Sequence, residues 1–181
     1  MSKKVEVKNF ELKKVKFNAK KGLIIDFFDV NNPNDLWNVD SDSQPSEEYI
    51  GALDKLKEVL AYSLGLNDGW DYLRENNRKN EEVLKKSILF WGEEIERCVV
   101  SGVSVVGVGE SKGIKISGSI KTQLGTVGLS FPIIRFEASI INSMDEQIMI
   151  GDLAETAFNQ IQLEIWSFIF AGERRGIVIS E

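Results

Sequence analysis

Residues 98–137, CVVSGVSVVGVGESKGIKISGSIKTQLGTVGLSFPIIRFE, decide the fold. Ile114, Ile116 and Ile120 fall at even positions with Gly118 among them, and Lys115, Ser117, Ser119 and Lys121 stand between. A period of two places the isoleucines on one face of a strand and the lysines and serines on the other. Upstream, Val99, Val100, Val103, Val105, Val106 and Val108 supply β-branched side chains, whose stiff χ1 suits a pleated surface. Downstream, Val127, Leu129, Phe131 and Ile133 alternate again, and Ile134 and Phe136 continue in the opposite phase. Pro132 sits at the change of phase and cannot donate to a ladder, so a bulge or a sheet edge is expected there. Turns are expected at Gly109–Gly113 and Gln123–Gly125, which makes the stretch three adjacent strands. The spacing of Gly107, Gly109 and Gly113 matches neither the dinucleotide fingerprint nor the P-loop, and a strand rather than a helix follows it.

Working outward, Val5, Val7, Phe10, Leu12, Val15 and Phe17 mark a lysine-rich strand, and Leu23–Val30 a strongly apolar one. The turn Asn18–Gly22 joins them into a hairpin. Asn31–Pro45 reads as a polar loop in which Trp37 is either a packing anchor or a partner contact. Asp35, Asp40 and Asp42 lack the glycine and terminal glutamate of a calcium loop. Ser46, followed by Glu47 and Glu48, caps a middle helix with Tyr49, Leu53, Leu56, Leu60 and Leu64 on one stripe and Gly65 at its end.

Residues 66–97 read as a helical insertion. It comprises a turn at Asn67–Gly69, an apolar cluster of Trp70, Tyr72 and Leu73, and a solvated linker at Asn76–Asn80. A helix from Glu81 towards Glu96 follows, supported by Glu81 and Lys85 one turn apart and interrupted by Gly92. After the strands, Asn142 or Ser143 caps a long helix from about Met144 to Ala171. Its stripe is Ile150, Leu153, Ala157, Ile161, Ile165 and Phe168. Trp166 and Phe170 lie off the centre and suit either the core or a subunit interface. The tail holds Ile177, Val178 and Ile179 and reads as a loose end, an added strand or a docking peptide. The expected fold class is therefore α+β. An antiparallel sheet, made of an N-terminal hairpin and a three-strand meander, is covered by a middle helix and a long C-terminal helix in a single domain of residues 1–181.

Composition narrows the function. The chain has no histidine, which removes histidine-based nucleophilic sites, histidine general bases and zinc–histidine sites. Its single cysteine, Cys98, permits no internal disulfide and fits a cytoplasmic location. No apolar run is long enough for a membrane span. No cofactor, metal or catalytic constellation is expected. Charge is uneven: residues 1–21 hold eight lysines against Glu6 and Glu11, so this segment is +6 and the remainder −12. Lys13, Lys14, Lys16, Lys115 and Lys121 are the candidate DNA contacts; the plainer reading of the N-terminal lysines is protection of an edge strand. Trp37, Trp166 and Phe170 are the candidate interface residues.

Three pieces, Phe10-Glu11-Leu12-Lys13-Lys14, Gly113–Glu137 and Trp166–Arg174, carry a further resemblance. With the hairpin, the middle helix and the glycine-dotted meander, they resemble small phage-encoded α+β proteins found near replication and recombination genes. The element order also resembles half of a sliding clamp. The resemblance implies a DNA-metabolism context in the host cytoplasm and supplies no catalytic residues. Three functions follow as expectations. The first is a non-enzymatic, self-associating accessory protein of DNA metabolism that contacts DNA. The second is an acidic module that binds and inhibits a host protein. The third is a carboxylate-dependent nuclease, whose only signals are Asp26 with Asp29 and the Glu93, Glu94, Glu96 cluster.

Overall fold

The computed structural model describes residues 10–142 and 144–173. Val5, Val7, Ser143 and the tail isoleucines lie outside the described residues.

The hairpin forms as the alternation requires, from β1 (Phe10–Phe17) and β2 (Leu23–Asp29), antiparallel and with a bulge at Lys13. Asn18 holds the turn: its side-chain oxygen accepts from the backbone N–H of Lys20 and of Gly22. Residues expected as a polar loop form a third strand instead, β3 (Asn32–Ser41), paired to β2. An edge strand needs apolar side chains on only one side, and here Trp37 and Val39 supply them while Asn38 and Asp40 face away. Trp37 stacks on Phe27 at 6.2 Å and 10°. The same polarity that made this segment look like a loop is what a solvated edge tolerates.

Helix α1 (Glu47–Ser63) begins where Ser46 accepts a hydrogen bond from the backbone of Tyr49. It ends in a Schellman turn, with Leu66 N–H donating to Ala61 and Gly65 N–H to Tyr62, and with Gly65 at φ +69°. The following segment corrects two expectations. Asn67–Gly69 opens a nine-residue helix, α2 (Asp68–Asn76), and α3 (Glu81–Arg97) runs straight through Gly92. A Cβ at Gly92 would meet nothing within 4 Å, so the glycine is simply a solvent-facing helix position. Lys86 pairs with Glu82 at 2.9 Å on the exposed side of α3, in the i,i+4 relation expected one residue earlier for Lys85 and Glu81.

The deciding stretch gives β4 (Cys98–Val106), β5 (Gly113–Thr122) and β6 (Gly125–Arg135), joined by a 3-10 turn at Gly109–Ser111 and a two-residue turn at Gln123-Leu124. Pro132 lies both at a bulge, opposite Ile116, and on an edge strand. The long helix starts later than its sequence stripe suggests. Ile140–Ile141 and Gln147–Ile148 form a short ribbon, β7 and β8, before α4 (Ile150–Glu173). The cause is Asn142, whose side-chain oxygen accepts from the backbone N–H of Met144 and of Glu146 and so closes a turn rather than capping a helix. Gly151 then fastens the helix start to the exit of β6: its N–H donates to Ala138 at 2.8 Å, and a Cβ there would stand 2.2 Å from the Phe136 carbonyl oxygen.

The six main strands form one antiparallel sheet in the order β3-β2-β1-β4-β5-β6. The core lies on one face. Leu12, Val15, Ile25, Phe27, Val103, Ile114 and Ile116 point there and meet Leu56, Val59 and Leu60 of α1 and Ala157, Ile161 and Ile165 of α4, all buried. Each such aliphatic side chain contributes roughly 1.5–3 kcal/mol through burial. Gly118 lets α1 and β4 approach; a Cβ there would sit 2.3 Å from the Val99 carbonyl oxygen and 3.5 Å from Leu60.

Candidate functional site

Among the described residues, the opposite face of the sheet carries no helix. Its make-up follows from the register. One cross-strand row is Asn38, Asp26, Lys14, Ser104, Lys115 and Ile133; the next is Asp40, Ile24, Lys16, Gly102 and Ser117. These residues lie one position away from the core residues Ile25, Val15, Val103 and Ile116, and the period of two turns them outward.

Four of the candidate lysines therefore share this uncovered face. Lys14 and Lys16 come from β1, and Lys115 and Lys121 from β5, a strand about a hundred residues later. Ser104 of β4 lies directly between Lys14 and Lys115, so those two lysines are about 10 Å apart across two strand spacings. Lys13 is exposed in the bulge of β1 and has no place in the register. The edge-protection reading of these lysines is corrected by the strand order: β1 is the third strand in, with β2 on one side and β4 on the other.

Charge divides the face. Strands β1, β4, β5 and β6 hold Lys13, Lys14, Lys16, Lys115, Lys121 and Arg135 against Glu11, which approaches Lys112 at 3.9 Å. Strands β2 and β3 present Asp26 and Asp40 on the same face and contain no cation. Both carboxylates already have neutral donors: Asp26 accepts from Asn38, and Asp40 from Asn18 at 2.9 Å. The result is a basic half next to the β6 edge and an acidic half next to the β3 edge. Ile24 and Phe28 are half-buried on the acidic half, and Ile133 is half-exposed on the basic half.

The candidate interface residues sit elsewhere. Trp37 is half-buried on the covered side against Phe27. Trp166 is buried in its own chain, 5.7 Å from Phe27 and 6.4 Å from Phe10. Phe170 lies in α4, and its side chain is outside the description.

The carboxylates that suggested a nuclease are dispersed. Asp29 accepts from the backbone of Asn31, Glu94 pairs with Arg97, and Glu96 pairs with Lys57 at 3.2 Å. Among the described residues, no group of three or more Cys, Asp or Glu side chains comes together as a metal site. Among them too, no helix is long and apolar enough to cross a membrane. A cavity of about 160 Å³ lies between Leu23, Tyr49, Ile165 and Phe168. Cys98 is buried, and burial pushes its thiol up to about 11, with Arg97 opposing the shift. That thiol is no nucleophile at neutral pH.

One cluster had no sequence signal. Asp71 is fully buried, accepts from Asn67 at 2.8 Å and Asn142 at 3.4 Å, and faces Arg74 at 3.7 Å. Arg74 also reaches Glu146 at 3.4 Å and lies 4.5 Å over the Trp70 ring, which stacks on Trp91 at 5.1 Å. Its charged members, Asp71 and Arg74 of α2 and Glu146 of the β7–β8 turn, are about 70 residues apart, so only the fold assembles them. Every charge in it has an opposite charge or an amide beside it, which makes it a clasp between those elements.

Comparison of the chain with family models, with curated proteins and with solved structures finds no match.

Proposed function

We propose that the chain is a non-enzymatic, self-associating accessory protein of phage or bacterial DNA metabolism that contacts DNA through the basic half of its uncovered sheet face. The observation that carries this reading is the convergence of Lys14, Lys16, Lys115 and Lys121 on one helix-free surface. A net charge of −6 rules against a wholesale nucleic-acid coat, but segregation gives phosphate one favourable landing surface. Side chains of serine and lysine, without a base-reading helix, make a backbone-contacting, sequence-tolerant interface.

The test is duplex binding at low salt, before and after Lys14→Glu, Lys16→Glu, Lys115→Glu and Lys121→Glu are combined. Each phosphate contact contributes about −0.9 to the slope of log affinity against log salt, so four contacts give about −3.6. Loss of binding with the thermal midpoint unchanged supports the reading. Unchanged binding removes its DNA part.

One observation favours the second reading, an acidic module that inhibits a host protein. Helix α4 carries Asp152, Glu155 and Glu164 with no lysine or arginine along its length, and Leu163 among them is exposed. Such a surface complements a basic partner. Capture from host lysate of one stoichiometric basic protein that survives nuclease treatment, lost on reversing these carboxylates, would favour that reading over DNA contact.

A further inference from the structure

The two edges of the sheet differ. Strand β3 is blunted: residues 33–35 bulge out of register with β2, Pro33 removes a donor, and Asp35 and Asp40 place charge along it. Strand β6 has none of this over its first half. From Gly125 to Phe131 it contains no charged residue and no proline, and among the described residues its outer side has no partner strand. Val127 belongs to the covered face by its pairing with the buried Ile120, yet it is 46% exposed, whereas Phe131 and Ile134 further along the same strand are buried.

We infer that β6 pairs antiparallel with β6 of a second copy, joining two sheets into one. The inference rests on the self-association in the proposed function and assigns it a surface. A second copy fits this edge because the strand is uncharged over the paired length, so self-pairing sets no like charges opposite each other. The added strand would also shield Val127.

An antiparallel join has its two-fold axis normal to the sheet, so both uncovered faces end on the same side. The strand order across the join is then β1-β4-β5-β6 followed by the same four reversed. The basic halves meet in the middle, and the acidic strands β2 and β3 lie outermost. From one β1 to the other is about 34 Å at ~4.8 Å per strand, the length of roughly one turn of B-form duplex. With the two-fold axis at Gly128, the middle of the uncharged stretch, the two Lys121 side chains, opposite Thr126, stand about 20 Å apart, more than the ~8 Å screening length at physiological salt and less than the ~30 Å at 10 mM. Self-association therefore weakens at low salt, and a duplex of one turn or more restores it.

The experiment is sedimentation equilibrium on the full chain, with and without a 20-base-pair duplex, for wild type, Gly128→Lys and Asn34→Lys. A Cβ at Gly128 meets nothing within 4 Å, so the fold accommodates the change. The wild type is expected to dimerise, Gly128→Lys to weaken the dimer at least tenfold, and Asn34→Lys, on the blunted edge, to leave it intact. Thr126→Lys replaces Gly128→Lys if circular dichroism shows that variant unfolded. A wild type that stays monomeric at 100 µM with and without duplex overturns the inference, as does a Gly128→Lys dimer of wild-type strength. A monomer that still binds duplex overturns the edge pairing and leaves DNA contact standing. A dimer lost on Gly128→Lys, with no duplex binding at any salt, supports the edge pairing and removes DNA contact.

Discussion

Val15, Val103 and Ile116 form one cross-strand row, and Lys14, Ser104 and Lys115 form the row beside it on the other side of the same three strands. One residue separates them in sequence, and a whole solvent separates them in environment. The valines and isoleucine are buried under α1 and α4; the lysines and serine face water. The comparison teaches that the buried and the solvent-facing positions are alternate residues of the same strands, so each can be altered without the other.

The largest expected effect breaks the buried row. Ile116→Ala should cost about 2–4 kcal/mol in urea unfolding, from lost burial plus the cavity left behind. Lys115→Ala, its neighbour, should change stability by less than about 0.5 kcal/mol. Equal costs would erase the distinction between the faces.

A smaller effect is expected at the clasp. Asp71→Ala leaves the Asn67 and Asn142 amides without their buried acceptor, at a cost of about 1–3 kcal/mol, and should leave duplex binding unchanged. Unchanged stability would show that the cluster does not hold α2 to the β7–β8 turn.

Titration sharpens the contrast further. Burial raises the Cys98 thiol from 9.0 to about 11, so the folded state keeps its proton where the unfolded state has lost it. This contribution is fully present below pH 9 and disappears as pH rises towards 11; Tyr62, pushed up mainly by burial to about 12, extends the loss upward. Unfolding midpoints measured from pH 8 to 11 should fall, and less steeply in Cys98→Ala.

The smallest effect is on the acid side. The hydrogen bond from Asn142, with Arg74 beside it, holds the exposed Glu146 carboxyl below its ordinary 4.5. Its contribution is present above that value and is lost as pH falls through the depressed one. Glu146→Gln should flatten the acid limb of the midpoint profile slightly and leave the alkaline limb alone.

Much of the fold was legible because local rules suffice for it. Ile114, Ile116 and Ile120 alternate strictly, Ser46 and Gly65 mark both ends of α1, and Pro132 marks a bulge. What escaped was either polar or non-local. β3 looks like a loop because an edge strand keeps only Trp37 and Val39 inward. α2 is short and opens on Asn, Asp and Gly, which favour turns in isolation. The apolar stripe of α4 says nothing of its start, which Asn142 delays through backbone hydrogen bonds. The outward period of Lys115 and Lys121 was visible, as was that of Lys14 and Lys16. One sheet of hairpin and meander was expected too, but that β4 is the strand that pairs with β1 was not legible, since nothing local specifies which distant strands pair.

Amine acylation rates of individual lysines, with and without duplex DNA, test the central claim most directly. The account predicts that Lys14, Lys16, Lys115 and Lys121 are protected by duplex, while Lys55, Lys85 and Lys86 on the helical side acylate at unchanged rates. Protection of the helical lysines, or of none, would contradict it.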